Sequence, residues 1–328
     1  MVAIRAAADG RLPVVVIGGP TASGKSALAL AVAEEFGGTV INADSMQVYR
    51  ELAILTARPG PSDLVRAPHR LYGILGAAER CSAARWRALA LAEIAASHRD
   101  RRLPILVGGT GLYFRALLDG LSPIPEVPAE IRAAALDRLT ELGAPAFHAE
   151  LAKRDPVTAA RLQPGDRQRL VRAWEVLEAT GRALADWQRE APCPGPDEPA
   201  LAPLAFVLEP PRATLYAACD ARLAGMVRGG ALDEAAALDR LGLAPSLPAM
   251  KAVGVPELLA HLRGESDLAT ALAAAQQATR RYAKRQTTWF RHQMATAERL
   301  ETEGVGAQFS ESLKPRIFAN IRQFMLTL

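Results

Sequence analysis

Cysteine is scarce in this chain of 328 residues: Cys81, Cys193 and Cys219 stand far apart and are odd in number. They build no disulfide framework and lack the paired spacing of a zinc site. The five histidines are scattered too, so no metal cluster is expected. Such thin cysteine use suits a reducing cytosol. Long uncharged apolar runs are also lacking, so no membrane-spanning helix is expected. The opening MVAIRAAADGRLPVVVIGG has no cleavage pattern of a secretory leader. The expectation is a cytoplasmic chain without membrane contact. Neither charge sign dominates: 39 Lys and Arg against 35 Asp and Glu leave +4. That balance is too even to argue for a nucleic acid from the whole chain, and local distribution matters more. With half its residues hydrophobic and 23% charged, the chain is ordinary globular protein with room for about two domains.

What is present is a phosphate loop. Gly19-Pro20-Thr21-Ala22-Ser23-Gly24-Lys25-Ser26 fits G-x-x-x-x-G-K-[ST]. The buried run Leu12 to Ile17 precedes it as a strand, and 26–36 leaves it as a helix. Glycines let successive N–H groups point at one anion, and the helix N-terminus adds its positive end. Lys25 supplies a mobile charge for the outer phosphate, and the Ser26 hydroxyl is placed to meet Mg2+. The chain therefore binds a di- or triphosphate, and the loop alone does not say which.

Further strands are expected at 39–42 and 103–107, with a possible short one at 71–75. Helices are expected at 82–100 and 112–118. This alternation predicts a parallel α/β sheet with helices on both faces and ligands at the strands' C-terminal ends. The phosphate loop, Asp44 to Tyr49 and Gly108 to Thr110 all fall on that edge and read as one active site. Asp44 is open to three readings: a magnesium ligand, a general base, or a carboxylate capping the next turn. Thr110 can donate to a phosphate or leaving-group oxygen, or cap the following helix. No carboxylate ends the 103–107 strand, which weakens a motor-type ATPase.

Strand-like runs then stop. Short helices at 128–142, 145–152, 157–162 and 166–180 predict a helical insertion over 123–200, closing with a turn-rich linker at 191–199. The α/β core, 1–122 and 201–328, resumes with a strand at 204–208 and a helix at 211–228 that carries Arg222. Helices at 231–240 and 255–263 follow, then one at 267–293 that is acid-free from Leu268 onward. Arg281, Lys284, Arg285 and Thr288 form one stripe on it, with Tyr282, Trp289 and Phe290 interleaved, a pattern that suits a nucleic-acid backbone. The absence of acidic partners along it argues against an ordinary solvated face. Residues after 296 give little signal beyond an apolar end.

Together these stretches resemble the bacterial tRNA dimethylallyltransferase (tRNA isopentenyltransferase) family. The carrying segments are Gly19 to Ser26, Asp44-Ser-Met-Gln-Val-Tyr49, Val107-Gly-Gly-Thr-Gly-Leu-Tyr113, Gly120 to Pro123, Gln168-Arg-Leu-Val-Arg172, Ala278 to Gln286 and Thr288 to Arg291. The resemblance implies transfer of a dimethylallyl group from its diphosphate to N6 of the adenine 3′ of a tRNA anticodon. Asp44 then matches the family's base, and Thr110 and Arg222 join the loop in stabilising the leaving diphosphate with Mg2+. Ser45, Met46 and Gln47 are implied to contact a flipped adenine. Arg132, Gln168, Arg169, Leu170, Val171, Arg172, Lys251, Arg281, Lys284 and Arg285 are implied to hold the anticodon stem-loop, with the chain a monomer. Three positions depart from the family's common pattern: Leu55 where Gly is frequent, Gly254-Val255 where Gly-Tyr is, and Ala218 where Arg is. They touch secondary contacts.

Three other readings compete. A small-molecule or nucleoside kinase shares the loop but predicts neither the insertion nor the acid-free helix. An adenylate isopentenyltransferase shares the donor but needs no tRNA-holding surface. A non-enzymatic RNA-binding protein leaves the phosphate loop, Asp44 and Thr110 without a role.

Overall fold

Strand β1 (Leu12–Gly18) is buried at every residue but its first, and its side chains alternate between two apolar layers. Val15 and Ile17 pack into one layer, Val14 and Val16 into the other. A strand buried on both faces requires helices on both sides, and the computed structural model, which describes residues 9–190, 198–302 and 307–327, supplies them.

The first part of the chain runs β1, α1 (Lys25–Phe36), β2 (Thr39–Asn42), α2 (Pro61–Arg66), β3 (His69–Arg70), α3 (Ala83–Arg99), β4 (Pro104–Gly108) and α4 (Gly111–Leu118). Four helices follow: α5 (Ala129–Arg154), α6 (Pro156–Ala159), α7 (Arg167–Thr180) and α8 (Leu184–Trp187). Then come β5 (Leu201–Glu209), α9 (Arg212–Met226), α10 (Leu232–Asp239), α11 (Val255–Leu262), α12 (Leu268–Gln293), β6 (Glu298–Glu301) and α13 (Ala307–Leu326). The six strands form one sheet in the order β3-β2-β4-β1-β5-β6, and every pairing is parallel. Val15 lies opposite Ile105 on one side and Leu204 on the other. This is the expected α/β architecture.

Helices α1 and α13 cover one face, where Leu28, Val32, Ile317 and Ile321 meet Val15 and Ile105. The other face holds Trp86 and Ile94 of α3, Phe114 of α4 and Phe290 of α12. The possible strand at 71–75 does not form. Leu71 and Gly73 have φ of 64° and 60°, which breaks extended backbone, so only His69–Arg70 pairs with β2. Beyond 296, where the residue pattern carries little signal, the chain adds edge strand β6 and the covering helix α13.

The chain divides into two compact units, Met1–Leu118 with Asp197–Leu328, and Asp119–Pro196. The second has its own core of Leu139, Phe147, Leu151, Leu170 and Val176. Its long α5 breaks at Gly143 (φ 74°, ψ 160°), two residues before Pro145. Most of the turn-rich stretch expected at 191–199 lies outside the described residues. No helix among the described residues is long and apolar enough to cross a membrane.

Candidate active site

The phosphate loop joins β1 to α1 at the sheet's C-terminal edge. Gly24 sits before the helix at φ 92°, a conformation that strains any residue with a Cβ. Behind the loop, the Ser23 hydroxyl is buried with no hydrogen-bond partner among the described residues. The Lys25 ammonium donates to the Pro20 carbonyl at 3.1 Å. Its surroundings disfavour charge. Burial lowers its pKa to about 8 from the ordinary 10.5; Asp44 pulls it back up, and Arg222 pushes it further down. Arg222 comes from α9 and donates to the Thr21 hydroxyl. Burial lowers its pKa as well, with Asp44 again opposing. Two crowded cations beside a loop of backbone amides form an anion site.

Asp44 follows β2 and is fixed from below by Asn42, which is fully buried. The Asn42 side-chain oxygen accepts from the Asp44 N–H at 2.8 Å, and its amide donates to the Asp44 and Leu71 carbonyls at 2.9 and 3.0 Å. One Asp44 carboxylate oxygen accepts from the Met46 N–H at 2.9 Å. The other, Oδ2, has no hydrogen-bond partner among the described residues. The carboxylate thus caps the next turn and still keeps an acceptor.

The strand next to β2 brings Thr110. A Cβ on Gly108 would lie 2.1 Å from the Ala43 carbonyl oxygen, so only glycine lets β4 approach this closely. Thr110 N–H donates to that same carbonyl at 3.2 Å. The Thr110 hydroxyl accepts from the Ser45 N–H at 2.9 Å and donates to the Ser45 hydroxyl at 3.2 Å. Thr110 is therefore held against the Asp44 turn.

Helix α12 closes the site. Gln286 is buried, and its side chain bridges two loops: its oxygen accepts from the Thr21 N–H at 2.8 Å, and its amide donates to the Gly109 carbonyl at 2.9 Å. One turn earlier, Tyr282 has its pKa raised by burial and then by the Asp44 charge, while the neighbouring Thr110 lowers it. Sequence reasoning gave neither residue a place in the site. The available signal was a long polar side chain, Gln286, in a buried stripe otherwise made of Ala271, Ala275, Thr279, Ala283 and Phe290. The resulting cavity, about 220 Å3, is lined by Thr21, Asp44, Ser45, Arg222, Lys251 and Tyr282 among others. Met46, Leu55, Leu223 and Met226 give it an apolar part. It pairs an anion site with a carboxylate acceptor and an apolar wall.

Residues 47–293 match the family model described as IPP transferase. The chain belongs to the IPP transferase family. A tRNA dimethylallyltransferase of Rhodospirillum centenum is 61% identical over 292 residues, 88% of this chain and 91% of its own. One from Paramagnetospirillum magneticum is 57% identical over 317 residues, 96% and 98% of the two chains. Among solved structures, the full-length tRNA isopentenylpyrophosphate transferase of Bacillus halodurans superposes with a TM-score of 0.67 at 31% identity, covering 95% of this chain and 97% of its own. A eukaryotic dimethylallyltransferase described as acting on tRNA gives 0.74 at 26% identity, covering 88% and 73%.

The remaining residues implied by the IPP transferase resemblance are spread over both units. Arg281, Lys284 and Arg285 are exposed along α12. The expectation that this helix lacks acidic partners needs correction: Asp220 of α9 takes Arg280 in a two-oxygen pair at 2.6 and 2.7 Å. In the second unit, Gln168 and Arg169 are exposed. Arg132 and Arg172 both reach the buried Glu175, at 2.9 and 2.8 Å. Leu170 and Val171 also depart from expectation. They are 0% and 2% exposed in that unit's core, so their side chains pack there and do not face a ligand. Gln47 donates to the Thr56 and Ala57 carbonyls at 2.7 and 3.1 Å and so ties down the neighbouring loop.

Proposed function

We propose that this chain transfers a dimethylallyl group from dimethylallyl diphosphate to N6 of the adenosine immediately 3′ of a tRNA anticodon. The observation that carries this reading is one cavity shared by Asp44, Thr21 and Arg222. A kinase has no need of an apolar wall beside its phosphates; a five-carbon allylic chain does, and Leu223 and Met226, on α9 with Arg222, take it, leaving Met46 and Leu55 to the acceptor base.

An adenine amine is a poor nucleophile because its lone pair is delocalised into the ring. As N6 bonds to the allylic carbon, the carbon–oxygen bond to diphosphate breaks, and the diphosphate leaves with the electron pair. The N6 proton passes to Asp44, whose Oδ2 is the acceptor left over from the turn. Loop amides, Lys25, Arg222 and Thr110 stabilise the departing anion. The adenine must leave its stack to reach the cavity. Ser45 and Met46, beside Asp44, are suited to meet it, and Arg132, Gln168, Arg169, Arg172, Lys251, Arg281, Lys284 and Arg285 to hold the stem-loop phosphates. Among the described residues no group of three or more His, Cys, Asp or Glu could hold a metal. The Ser26 hydroxyl, exposed on the first turn of α1, fits Mg2+ bound mainly through diphosphate oxygens, since that ion takes few protein ligands. When bound, Mg2+ neutralises charge on the leaving group. The reading takes the chain to act as a monomer.

The test is label transfer from dimethylallyl diphosphate to an unmodified anticodon stem-loop, with AMP and ATP as competitors. Label in the RNA, lost when that adenine becomes guanine, is the expected result. Asp44→Ala should lower kcat about 100-fold or more while RNA binding holds. Label in AMP would replace this reading with a free-nucleotide transferase, and phosphate transfer from ATP with a kinase.

A further inference from the structure

Glu234, in the first turn of α10, has no place in the chemistry above. Yet its carboxylate accepts from three consecutive backbone N–H groups some 180 residues earlier: Ala53 and Ile54 on Oε2, both at 2.7 Å, and Leu55 on Oε1 at 2.8 Å. An ion pair or a helix cap uses one or two donors. Three successive amides converging on one carboxylate form a fitted anion nest whose anion is part of the chain. The clamped loop is a wall of the active site, because Leu55 and Thr56 line the cavity beside Asp44 and Met46. The loop's far end is tied back: Gln47 donates to the Thr56 and Ala57 carbonyls, and the Thr56 hydroxyl donates to the Leu52 carbonyl. Glu234 is itself set by the chain before it. Residues 227–231 widen into a π-helical turn, and Gly230 takes φ 102°, with Ile54 of the clamped loop 3.4 Å from where its Cβ would be.

The geometry points to Glu234 as a positioning residue for the acceptor base, through the loop 53–56 and Gln47. Among the described residues its carboxylate makes no hydrogen bond to the diphosphate loop or to Asp44. This rests on the transferase reading. Its signature is a split: acceptor handling suffers and donor binding does not.

The test uses full-length Glu234→Gln and Glu234→Ala proteins, each compared with wild type. Amide exchange at 53–55 is expected to rise about tenfold or more in both variants, since each loses charge-assisted acceptors. The kcat/KM for the stem-loop should fall about tenfold in Glu234→Gln, which retains part of the clamp, and further in Glu234→Ala. The Kd for dimethylallyl diphosphate should stay within about twofold, and the melting midpoint of Glu234→Gln close to wild type. Unchanged exchange at those amides overturns the inference. So does a fall in donor affinity matching the fall in kcat/KM, which would mark a general structural role. A wild-type protein that transfers no prenyl group to RNA overturns the transferase reading itself, and the acceptor role with it. A wild type that transfers, beside variants that behave identically, overturns Glu234 alone.

Discussion

Lys25 is a residue whose charge the fold does not favour until a ligand arrives. Its folded pKa, about 8, lies below the ordinary 10.5, with burial the main cause. The unfolded chain therefore holds a proton between these values that the folded chain has released. Stability contributed by this group rises with pH from about 8 towards 10.5 and is at its lowest below 8. A bound diphosphate reverses the preference by supplying the missing counter-charge. Two outcomes follow for Lys25→Met. The ligand-free variant should melt above wild type at neutral pH, and less so as pH nears 10, as thermal denaturation would show. Wild-type affinity for dimethylallyl diphosphate should decline as pH rises through 8, and this part of the pH dependence should vanish in the variant. Calorimetric titration checks this, because the ligand's own ionisation is common to both proteins. Equal pH dependence in both would remove Lys25 from the binding of the leaving group. The sequence already marked Lys25, because its role follows from a local spacing. It could not show that Arg222, nearly two hundred residues away, crowds the same pocket and lowers the same pKa.

Among the elements, α12 does most to assemble the site, and for a different reason than its charges suggest. Its basic face is exposed, whereas its buried face carries Gln286 between the phosphate loop and the Gly109 turn. A Cβ on Gly109 would come within 2.1 Å of the Gln286 amide, and one on Gly111 within 2.2 Å of the Trp289 ring. The glycines after β4 are thus required by the close approach of this helix. Gln286→Leu keeps the bulk and strands the Thr21 N–H and the Gly109 carbonyl. A loss of about 1–3 kcal/mol is expected for each buried group left without a partner, together with weaker donor binding, since Thr21 anchors Arg222. Chemical denaturation and donor titration measure the two effects; a stable variant with normal donor affinity would show that the bridge is dispensable. Strands β1, β2, β4 and β5 were legible because they are buried runs bounded by turn residues. Edge strand β6 was not: in Glu298–Glu301 only Leu300 is buried. Two of its three charged residues are satisfied by distant partners, Arg299 by Glu209, and Glu298 by Arg316 and Asn320. Charges that pair across a fold look in sequence like solvated loop, and the Glu234 clamp escaped notice in the same way.

At the scale of the whole molecule, the helical unit is an insertion whose two chain connections are joined inside the α/β unit. Arg87 of α3 donates to the Ala116 carbonyl at 2.8 Å, at the end of α4, and also pairs with Glu198, just before β5. One side chain therefore spans the point where the chain leaves the α/β unit and the point where it returns. Each unit also has a core of its own, so the larger one does not depend on the smaller for burial of its sheet. Every residue assigned here to the diphosphate and to proton transfer lies in the larger unit, while Arg132, Gln168, Arg169 and Arg172 lie in the smaller. Replacing 119–196 with a short Gly-Ser linker is thus expected to leave a folded protein that binds dimethylallyl diphosphate with near-normal affinity. Its affinity for the anticodon stem-loop should fall, and the slope of that affinity against salt should become shallower by roughly one unit for each phosphate no longer held. Filter binding at several salt concentrations, beside donor titration on the same preparation, measures both. An unchanged slope with full transfer would place all RNA recognition on the α12 side. A preparation with native circular dichroism but no donor binding would mean the insertion shapes the phosphate site as well.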